Sequence, residues 1–321
     1  MDNAEKFGQM ALAIGLFAGI MGLVLLLAGR ARRGADLVQA MVFVVPALGL
    51  LTIGLLYPAI RTTYQSFFDR TSENFVGWDN YVEVFTTDAM VTVLQNTAIW
   101  VILTPILSTA IGLVYAVLVD RSRLEAAAKA VIFLPLAISL VGASIIWKFV
   151  YEFRPDQQGI QQIGLLNQVL VWLGFEPQQF LINDPVNTVF LIVVMVWVQA
   201  GFAMTVLSAA IKAIPTDITE AAQLDGVGGI RLFRYITVPR IRPALIVVLT
   251  TIAIGTLKVF DIVRTMTGGQ FNTSVVANEF YTQGFRILNT GIASALAVLL
   301  FVLVIPLVVY NVVQMRKADY R

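Results

Sequence analysis

The chain of 321 residues contains no cysteine and no histidine. Without cysteine it can form no disulfide bond, no thiolate metal site and no thiol nucleophile. Without histidine it lacks the most common metal ligand and the usual general base at neutral pH. These absences argue against a membrane enzyme, and we expect neither a catalytic residue nor a metal site in the chain.

Charged residues are also scarce. They make up 13% of the chain, against 58% hydrophobic residues, and the mean hydropathy is +0.81. Soluble domains carry about a quarter charged residues. The net charge of +2 is too small to suggest a nucleic-acid partner. The composition therefore predicts an all-α polytopic membrane protein in contact with lipid.

Seven apolar segments are long enough to cross a bilayer, which takes about 20 residues as a helix. They are 9–28, 38–60, 91–118, 130–151, 186–210, 243–266 and 290–313. The first could instead be a signal peptide, but its apolar run is long and a cluster of arginines follows it. We therefore interpret 1–36 as an extra transmembrane helix with an arginine loop, and 37–321 as the main transmembrane domain.

Basic residues are concentrated in alternate loops. One set of loops and the C-terminal tail carry Arg30, Arg32, Arg33, Arg121, Arg123, Lys129, Lys212, Arg231, Arg234, Arg240, Arg242, Arg316, Lys317 and Arg321. The opposite loops are longer and hold mainly Arg61, Arg70, Arg154 and Arg286. Because lysine and arginine favour cytoplasmic loops, the first set is predicted to be cytoplasmic. With seven spans, the N-terminus is outside and the C-terminus is in the cytoplasm.

The loop 211–243 holds two short polar helices. Thr216 is predicted to be the N-cap of the first, with Asp217 and Glu220 in its first turn. Gly226 is expected to end it in a left-handed conformation, and Pro239 to stop the second. Ile218, Ala221 and Ala222 share one face of the first helix, and in the second helix Ile230, Phe233 and Thr237 lie on one side with Arg231 and Arg234 on the other. A face of small residues lets another backbone come close. Periodicity alone would equally allow an ordinary connecting loop.

The spacing of this loop resembles the "EAA" loop of binding-protein-dependent importers of the ABC superfamily. That pattern is Glu-Ala-Ala, three residues, Gly, nine residues, Ile, any residue, Leu and Pro. Here Val238 replaces the leucine, which is a mild apolar change. The matching residues, with Asp225 beside the glycine, form the expected ATPase-coupling set: Glu220, Ala221, Ala222, Asp225, Gly226, Ile236 and Pro239.

The resemblance extends over residues 38–318. The segments "FVGWDNY", "FLPLAIS" and "KAIPTDITEAAQLDG" look like sugar permeases of the maltose type, carbohydrate-uptake family 1. The later run "KVFDIVRTMTGGQFNTSVVANEFY" resembles the α-glucoside permease subunits, whose substrates include maltose, trehalose, sucrose and glucosylglycerol. The resemblance implies the six-helix core of a type I ABC importer, to which the first span would be an addition.

In that family the loop is a coupling helix seated on an ATP-binding subunit. This chain has no G-x-x-x-x-G-K-[ST] motif, so ATP and Mg²⁺ are expected on a partner chain and no cofactor on this one. The resemblance implies a second homologous permease subunit, two ATP-binding subunits and an extracytoplasmic sugar-binding protein. It also implies a location in the bacterial inner membrane.

Polar residues within the predicted spans are the candidates for a sugar path, because such residues are costly in lipid. Lys258 and Asp261 lie three apart and could pair along one helix face, with Arg264 as a competitor. The pair could equally be a self-neutralising structural contact. The full candidate set is Ser144, Trp147, Gln199, Phe202, Thr205, Lys258 and Asp261, and the resemblance places sugar contacts near Ser144, Gln199 and Phe202. An aromatic residue on a span can also simply pack or face lipid.

A second hypothesis is a stand-alone secondary transporter that uses Lys258 and Asp261 for ion coupling. Such transporters are often built from inverted repeats, and none is visible in this sequence. A symporter also has no use for a loop that docks an ATPase.

Overall fold

The computed structural model describes residues 7–10, 12, 14–16, 18–20, 22, 35–120, 122–155 and 163–319. Within these ranges the chain is helical, and its only β pairing is an isolated bridge between Phe68 and Phe75. The chain divides into two compact units, 1–64 and 65–321. Part of the first predicted span, 9–28, lies outside the described residues, as do Arg30, Arg32, Arg33, Arg121 and Arg321.

The longest described element of the first unit is an apolar helix. It consists of α1 (Ala35–Leu51), a π-helical turn (Thr52–Leu56) and α2 (Tyr57–Gln65). The stretch Val44–Gln65 is long and apolar enough to cross a membrane, and none of it is buried. Such an apolar surface suits contact with lipid tails, which supports the predicted span at 38–60.

The second unit begins with a short helix and two long ones separated by broken segments. In order they are α3 (Asp79–Thr86), α4 (Asp88–Val119), α5 (Glu125–Phe133), a 3₁₀ turn (Leu134–Ala137), α6 (Leu140–Val150), α7 (Leu165–Trp172) and α8 (Val186–Lys212). The amphipathic α7 is too short to span a bilayer.

Beyond α8 the chain alternates short helices with long ones. These are α9 (Thr216–Leu224), α10 (Gly229–Leu232), a π turn (Phe233–Thr237), α11 (Val238–Arg240), α12 (Arg242–Leu257), α13 (Asp261–Met266), α14 (Val276–Tyr281), a π turn (Thr282–Ile287) and α15 (Thr290–Asp319). Among the described residues, four helices can span a membrane, or six if each of two bent pairs counts as one span.

Helix α8 is the centre of the packing. A Cβ added to Gly112 of α4 would lie 2.5 Å from the Ala203 Cβ and 2.7 Å from the Met204 N of α8. On another side, a Cβ at Gly201 would lie 2.5 Å from the carbonyl oxygen of Ile132 in α5. Small residues of this kind let helix backbones approach closely in membrane proteins. Both glycines are therefore required by the packing.

The fourth predicted span, 130–151, is not one straight helix. Glu125–Ala137 and Leu140–Val150 meet at an angle of 102°. Pro135 lies in the 3₁₀ turn, and Ser139 starts α6 as an N-cap whose Oγ accepts a hydrogen bond from the Gly142 N–H at 3.1 Å. A proline followed by a new cap ends one helix and begins another.

The sixth predicted span, 243–266, is also interrupted, and the prediction that Lys258 and Asp261 share one helix is wrong. Helix α12 ends at Leu257, where the N–H groups of Lys258 and Val259 donate to carbonyls only three residues back. Phe260 leaves helical geometry, with φ −131°, and Asp261 opens α13. A closing turn with i→i+3 hydrogen bonds is a common end of a helix.

Candidate functional site

Residues 216–240 of the second unit form a pair of short helical arms, largely exposed, which we term the knuckle. Its first arm, α9, starts at Thr216, and Pro215 occupies the cap position with no side-chain hydrogen bond. The prediction of Thr216 as N-cap is therefore wrong, because the extended Pro215 already precedes the first helical residue. This also places Glu220 beyond the first turn, which contains Asp217 alone as an acidic residue.

The corner of the knuckle has the geometry that was expected at Gly226. Its φ is +77°. The Gly226 N–H donates to the Gln223 carbonyl at 3.0 Å, and the Val227 N–H donates to the Ala222 carbonyl at 2.9 Å. These two bonds form a Schellman motif, the standard helix end with a left-handed glycine.

The second arm runs from Gly229 to Arg240, and Pro239 does not stop it. The Val238 N–H donates to the Phe233 carbonyl five residues back, so a π turn precedes the proline. Pro239 then lies in the first turn of α11, where a missing N–H costs no helical bond. The bend of 68° follows at the junction with α12.

The second arm is unevenly exposed. Ile230 is 85% exposed, whereas Leu232, Phe233 and Thr237 are half-buried. Ile230 therefore does not share the surroundings of Phe233 and Thr237, with which it was grouped on one side of the helix.

Most of the expected coupling set lies on the exposed surface of the knuckle. Glu220, Ala221, Asp225, Gly226 and Pro239 are exposed, Ile236 is half-buried, and Ala222 is buried. Among the exposed apolar side chains beside them are Leu224, at 90% exposure, and Tyr235, at 69%. Large apolar groups exposed beside small and acidic residues are typical of a surface that contacts another protein.

Behind the knuckle is a cluster of four charged residues, which we term the charge cluster: Asp120, Glu125, Lys129 and Lys212. The Lys129 Nζ lies 3.3 Å from the Asp120 Oδ1 and 2.7 Å from the Glu125 Oε1. The Lys212 Nζ lies 3.4 Å from the same Asp120 oxygen and also bonds Glu125. The cluster joins the α4–α5 turn to the last residue of α8.

A cavity of about 390 Å³ separates the charge cluster from the knuckle. Its lining includes Asp120, Glu125 and Lys212 on one side and Thr216, Thr219, Leu232, Phe233 and Thr237 on the other. From the sequence, Lys129 and Lys212 served only as topology markers, and neither Asp120 nor Glu125 was assigned a role. The spacing of Glu125 and Lys129, i and i+4 on a helix, was the available signal.

The candidate path residues do not converge on one cavity in the described structure. Ser144 is buried, and its Oγ donates to the Leu140 carbonyl of its own helix at 2.7 Å. The Thr205 Oγ1 donates to the Gly201 carbonyl at 2.9 Å. Gln199 is half-buried, and Phe202 packs against the cluster around Met204.

Trp147 is the one member of the set that lines a cavity of about 370 Å³ beside α8. Its ring meets that of Trp197 edge-on at 5.8 Å, and the same cavity is lined by Tyr115 and Pro135. Trp197 was not selected from the sequence, because an aromatic residue on an apolar helix has no distinguishing pattern.

Lys258 and Asp261 are not paired. Within the part of the chain that the structure describes, the ion pairs within 4.0 Å are those of the charge cluster. Lys258 is exposed at the end of α12. Arg264 does not compete for Asp261, and its guanidinium carbon lies 4.7 Å from the centre of the Tyr281 ring. A cation over an aromatic face is a favourable contact.

The turn 267–275 is held by asparagines that the sequence analysis did not identify. The Asn187 Nδ2 donates to the Phe271 carbonyl at 2.7 Å, and the Asn96 Nδ2 donates to the Ser274 carbonyl at 3.0 Å. The Val276 N–H donates to the Thr97 Oγ1 at 2.9 Å. These bonds tie the turn to α4 and α8.

Apolar helices packed around α8, together with an exposed two-armed knuckle, define a multi-pass membrane transport subunit. Residues 105–317 match the family described as "Binding-protein-dependent transport system inner membrane component", and the chain belongs to this family. It is thus a multi-pass permease subunit of the inner membrane, a class that is not itself catalytic. This confirms the expected fold class and leaves the stand-alone secondary transporter without support.

Two relatives are similar over most of their length. The "Osmoprotective compounds uptake permease protein GgtC" of Synechocystis sp. is 48% identical over 277 residues, which cover 86% of this chain and 99% of that protein. The "Alpha-glucoside transport system permease protein AglF" of Rhizobium meliloti is 42% identical over 286 residues, covering 89% of this chain and 84% of that protein.

Solved structures have the same fold. A chain of a bacterial ABC transporter involved in the import of the acidic polysaccharide alginate matches with a TM-score of 0.74 at 23% identity, covering 88% of this chain and 95% of that chain. A chain of a bacterial alginate ABC transporter in complex with an alginate pentasaccharide-bound periplasmic protein also matches with a TM-score of 0.74, at 21% identity, covering 90% of this chain and 98% of that chain. At these identities the likeness establishes the fold.

Proposed function

We propose that this chain is one of two unlike permease subunits of an ATP-driven importer for an α-glucoside or related neutral disaccharide, such as trehalose, maltose, sucrose or glucosylglycerol. The observation that carries the proposal is the knuckle, whose exposed Glu220–Gly226 corner has the residues and the left-handed glycine of a coupling loop. The names of the two relatives, one for osmoprotective compounds and one for α-glucosides, support the substrate class.

The proposed complex contains a second homologous permease, two ATP-binding subunits and an extracytoplasmic sugar-binding protein. ATP and Mg²⁺ bind the ATP-binding subunits, and this chain supplies no cofactor ligand. The absence of a P-loop from the sequence and the exposed coupling surface support this division of labour. In the membrane the knuckle and the C-terminus face the cytoplasm, and the N-terminus faces outside, on the basis of the arginine distribution.

The proposed path uses side chains of α6, α8 and the segment after α12. Gln199 contributes an amide that both donates and accepts, which suits a sugar hydroxyl. Phe202 offers an apolar face to a sugar ring. Ser144, Trp147 and Thr205 add smaller contributions, and Lys258 with Asp261 keeps the entrance polar without net charge.

An uptake assay tests the proposal. The complex is reconstituted with its partners and supplied with radiolabelled maltose, trehalose, sucrose and glucosylglycerol. We expect ATP-dependent uptake of at least one of them. Gln199→Leu should reduce it by roughly tenfold, since an unpaired buried hydroxyl or amide costs about 1–3 kcal/mol.

Gln314→Leu is the matched control, because it makes the same change on α15, outside the proposed path. Uptake of an amino acid or an ion in place of all four sugars would refute the substrate class. Parental uptake by both Gln199→Leu and Phe202→Ala would show that these residues do not line the path.

A further inference from the structure

The charge cluster connects three parts of the chain at one point. Asp120 follows α4, Glu125 and Lys129 belong to α5, and Lys212 is the last residue of α8. The Lys129 Nζ also donates to the Ser208 Oγ of α8. The Ser208 Oγ in turn donates to the Asp120 Oδ1 at 3.3 Å. The two lysines and two acids balance, so the cluster has no net charge.

Lys212 is also where the knuckle is attached to the membrane helices. Three residues, 213–215, separate it from the first residue of α9. Between the knuckle and the charge cluster lies the cavity of about 390 Å³. Lys212 lines this cavity, and the short connection after it is the covalent link from α8 to α9.

Close contacts at Gly112 and Gly201 already hold α4 and α5 against α8. The two glycines lie at least about two helical turns before Asp120 and Lys212, so their contacts do not reach the ends of α4 and α8 nearest the knuckle. The side chain of Asp120 is only 10% exposed and that of Glu125 only 24%, whereas that of Lys212 is 51% exposed. The shielded carboxylates of Asp120 and Glu125 thus bind the more exposed Lys212, which lies next to the knuckle in the chain.

We propose that the charge cluster transmits movement of the knuckle to α4 and α5, and that Lys212 and Glu125 are positioning residues for the coupling of ATP hydrolysis to transport. The proposal rests on the proposed function, in which the knuckle docks an ATP-binding subunit. When the docked knuckle moves, Lys212 moves with it, and its ion pairs with Asp120 and Glu125 carry the α4–α5 turn along. Without these pairs the end of α8 moves while the turn stays behind.

The test measures sugar transported per ATP hydrolysed in the reconstituted complex. Lys212→Glu places a third acid beside Asp120 and Glu125, and should lower this ratio about fivefold or more, the lower end of typical coupling between sites. The ATP-binding subunits should remain attached and hydrolysis should continue. Lys212→Arg keeps the charge and should retain the parental ratio.

A double-mutant cycle separates a specific pair from general damage. Glu125→Gln alone should also lower the ratio, and Glu125→Gln combined with Lys212→Gln should lower it little further than the more severe single variant, because both substitutions remove the same ion pair. Arg123→Glu is the matched control, since Arg123 is exposed in the same turn and belongs to none of the four ion pairs. It should behave as the parent.

Lys212→Gln serves if a charge reversal prevents folding, because it removes the pairs without adding repulsion, and it too should lower the ratio. Parental ratios in both Lys212→Gln and Glu125→Gln, or a loss in the double variant equal to the product of the two single losses, would overturn the proposal. Loss of the ATP-binding subunits from Lys212→Glu would also overturn it, since the defect would then be in docking. Glu220→Lys tests docking separately, because it is expected to release the ATP-binding subunit. A failure of the proposed function is therefore distinguishable from a failure of the proposal about the charge cluster.

Discussion

At the scale of single residues, the knuckle depends on one backbone conformation. Gly226 has φ +77°, and no atom outside its neighbourhood in the chain lies within 4 Å of where a Cβ would be. A side chain at this position would have space, but the backbone conformation would be unfavourable for it. A substitution therefore tests the backbone conformation of the corner and not its packing.

We predict that Gly226→Val and Glu220→Lys both release the ATP-binding subunit. A left-handed conformation costs an L-residue about 1–2 kcal/mol, so valine displaces the second arm from its docked position. Glu220 is exposed, and reversing its charge against a basic partner group costs about 2–5 kcal/mol if the pair is desolvated. Co-purification of the ATP-binding subunit with tagged permease measures both effects.

Two further substitutions serve as controls for this experiment. Gly226→Asn should bind normally, because asparagine tolerates left-handed geometry. Gly228→Val should also bind normally, since Gly228 has φ −76° and open space around it. If the ATP-binding subunit stays bound to Gly226→Val and to Glu220→Lys, the knuckle is not the docking surface.

At the scale of elements, the hairpin 66–78 is organised around one carboxylate. Asp69 accepts hydrogen bonds from the Asn74 Nδ2 at 2.7 Å, from the Glu73 N–H at 3.0 Å, and from the N–H and hydroxyl of Thr71. These bonds, with that of Asn74 the strongest, lower the pKa of Asp69 to about 2. The ionised form is therefore the one that holds the hairpin.

The hairpin should open on acidification. Because the folded pKa is lower than the usual value near 4, the stabilisation is complete above about pH 4 and is lost as the pH falls towards about 2. Hydrogen–deuterium exchange of peptides covering 66–78, in detergent, should show faster exchange at pH 2 than at pH 5 after correction for intrinsic rates. Asp69→Asn should open the hairpin at both pH values, and a pH-independent hairpin in the parent would contradict the assignment.

The elements also show which parts of the fold the sequence can predict. Long apolar runs and the glycine at the corner of the knuckle depend on local chemistry, so α4, α8, α15 and Gly226 were predicted correctly. The breaks after Leu257 and at Ser139 lie within apolar runs, where hydropathy stays high although the helix ends. The charge cluster joins residues about 90 positions apart in the chain, and no local pattern contains such a contact.

At the scale of the whole molecule, topology is the property that every functional proposal requires. The chain has no cysteine, so a single introduced thiol reports its own position. Gln223 is exposed on the knuckle, and Glu73 is exposed in the hairpin 66–78. Glu73 is preferable to Asn74, whose side chain holds Asp69.

We predict that Glu73→Cys in intact spheroplasts reacts with a membrane-impermeant maleimide and that Gln223→Cys reacts only after the membrane is permeabilised. The reason is the concentration of lysine and arginine on the knuckle side. Labelling is measured by the mass shift of the purified protein, with the cysteine-free parent as the blank. Labelling of Gln223→Cys from outside would show that the topology is the reverse of the predicted one, with the knuckle on the side of the membrane that has no ATP.

The close contacts at Gly112 and Gly201 also decide where the chain can bend. At these two glycines the backbones of α4 and α5 approach α8 so closely that an added Cβ would lie 2.5 Å from the nearest atom. Elsewhere the chain bends sharply, by 102° before Leu140 and by 68° at Ile241. We therefore expect a change of shape that opens or closes a solute path to be easier by rotation at these two joints than by separation of the helices at the two glycines.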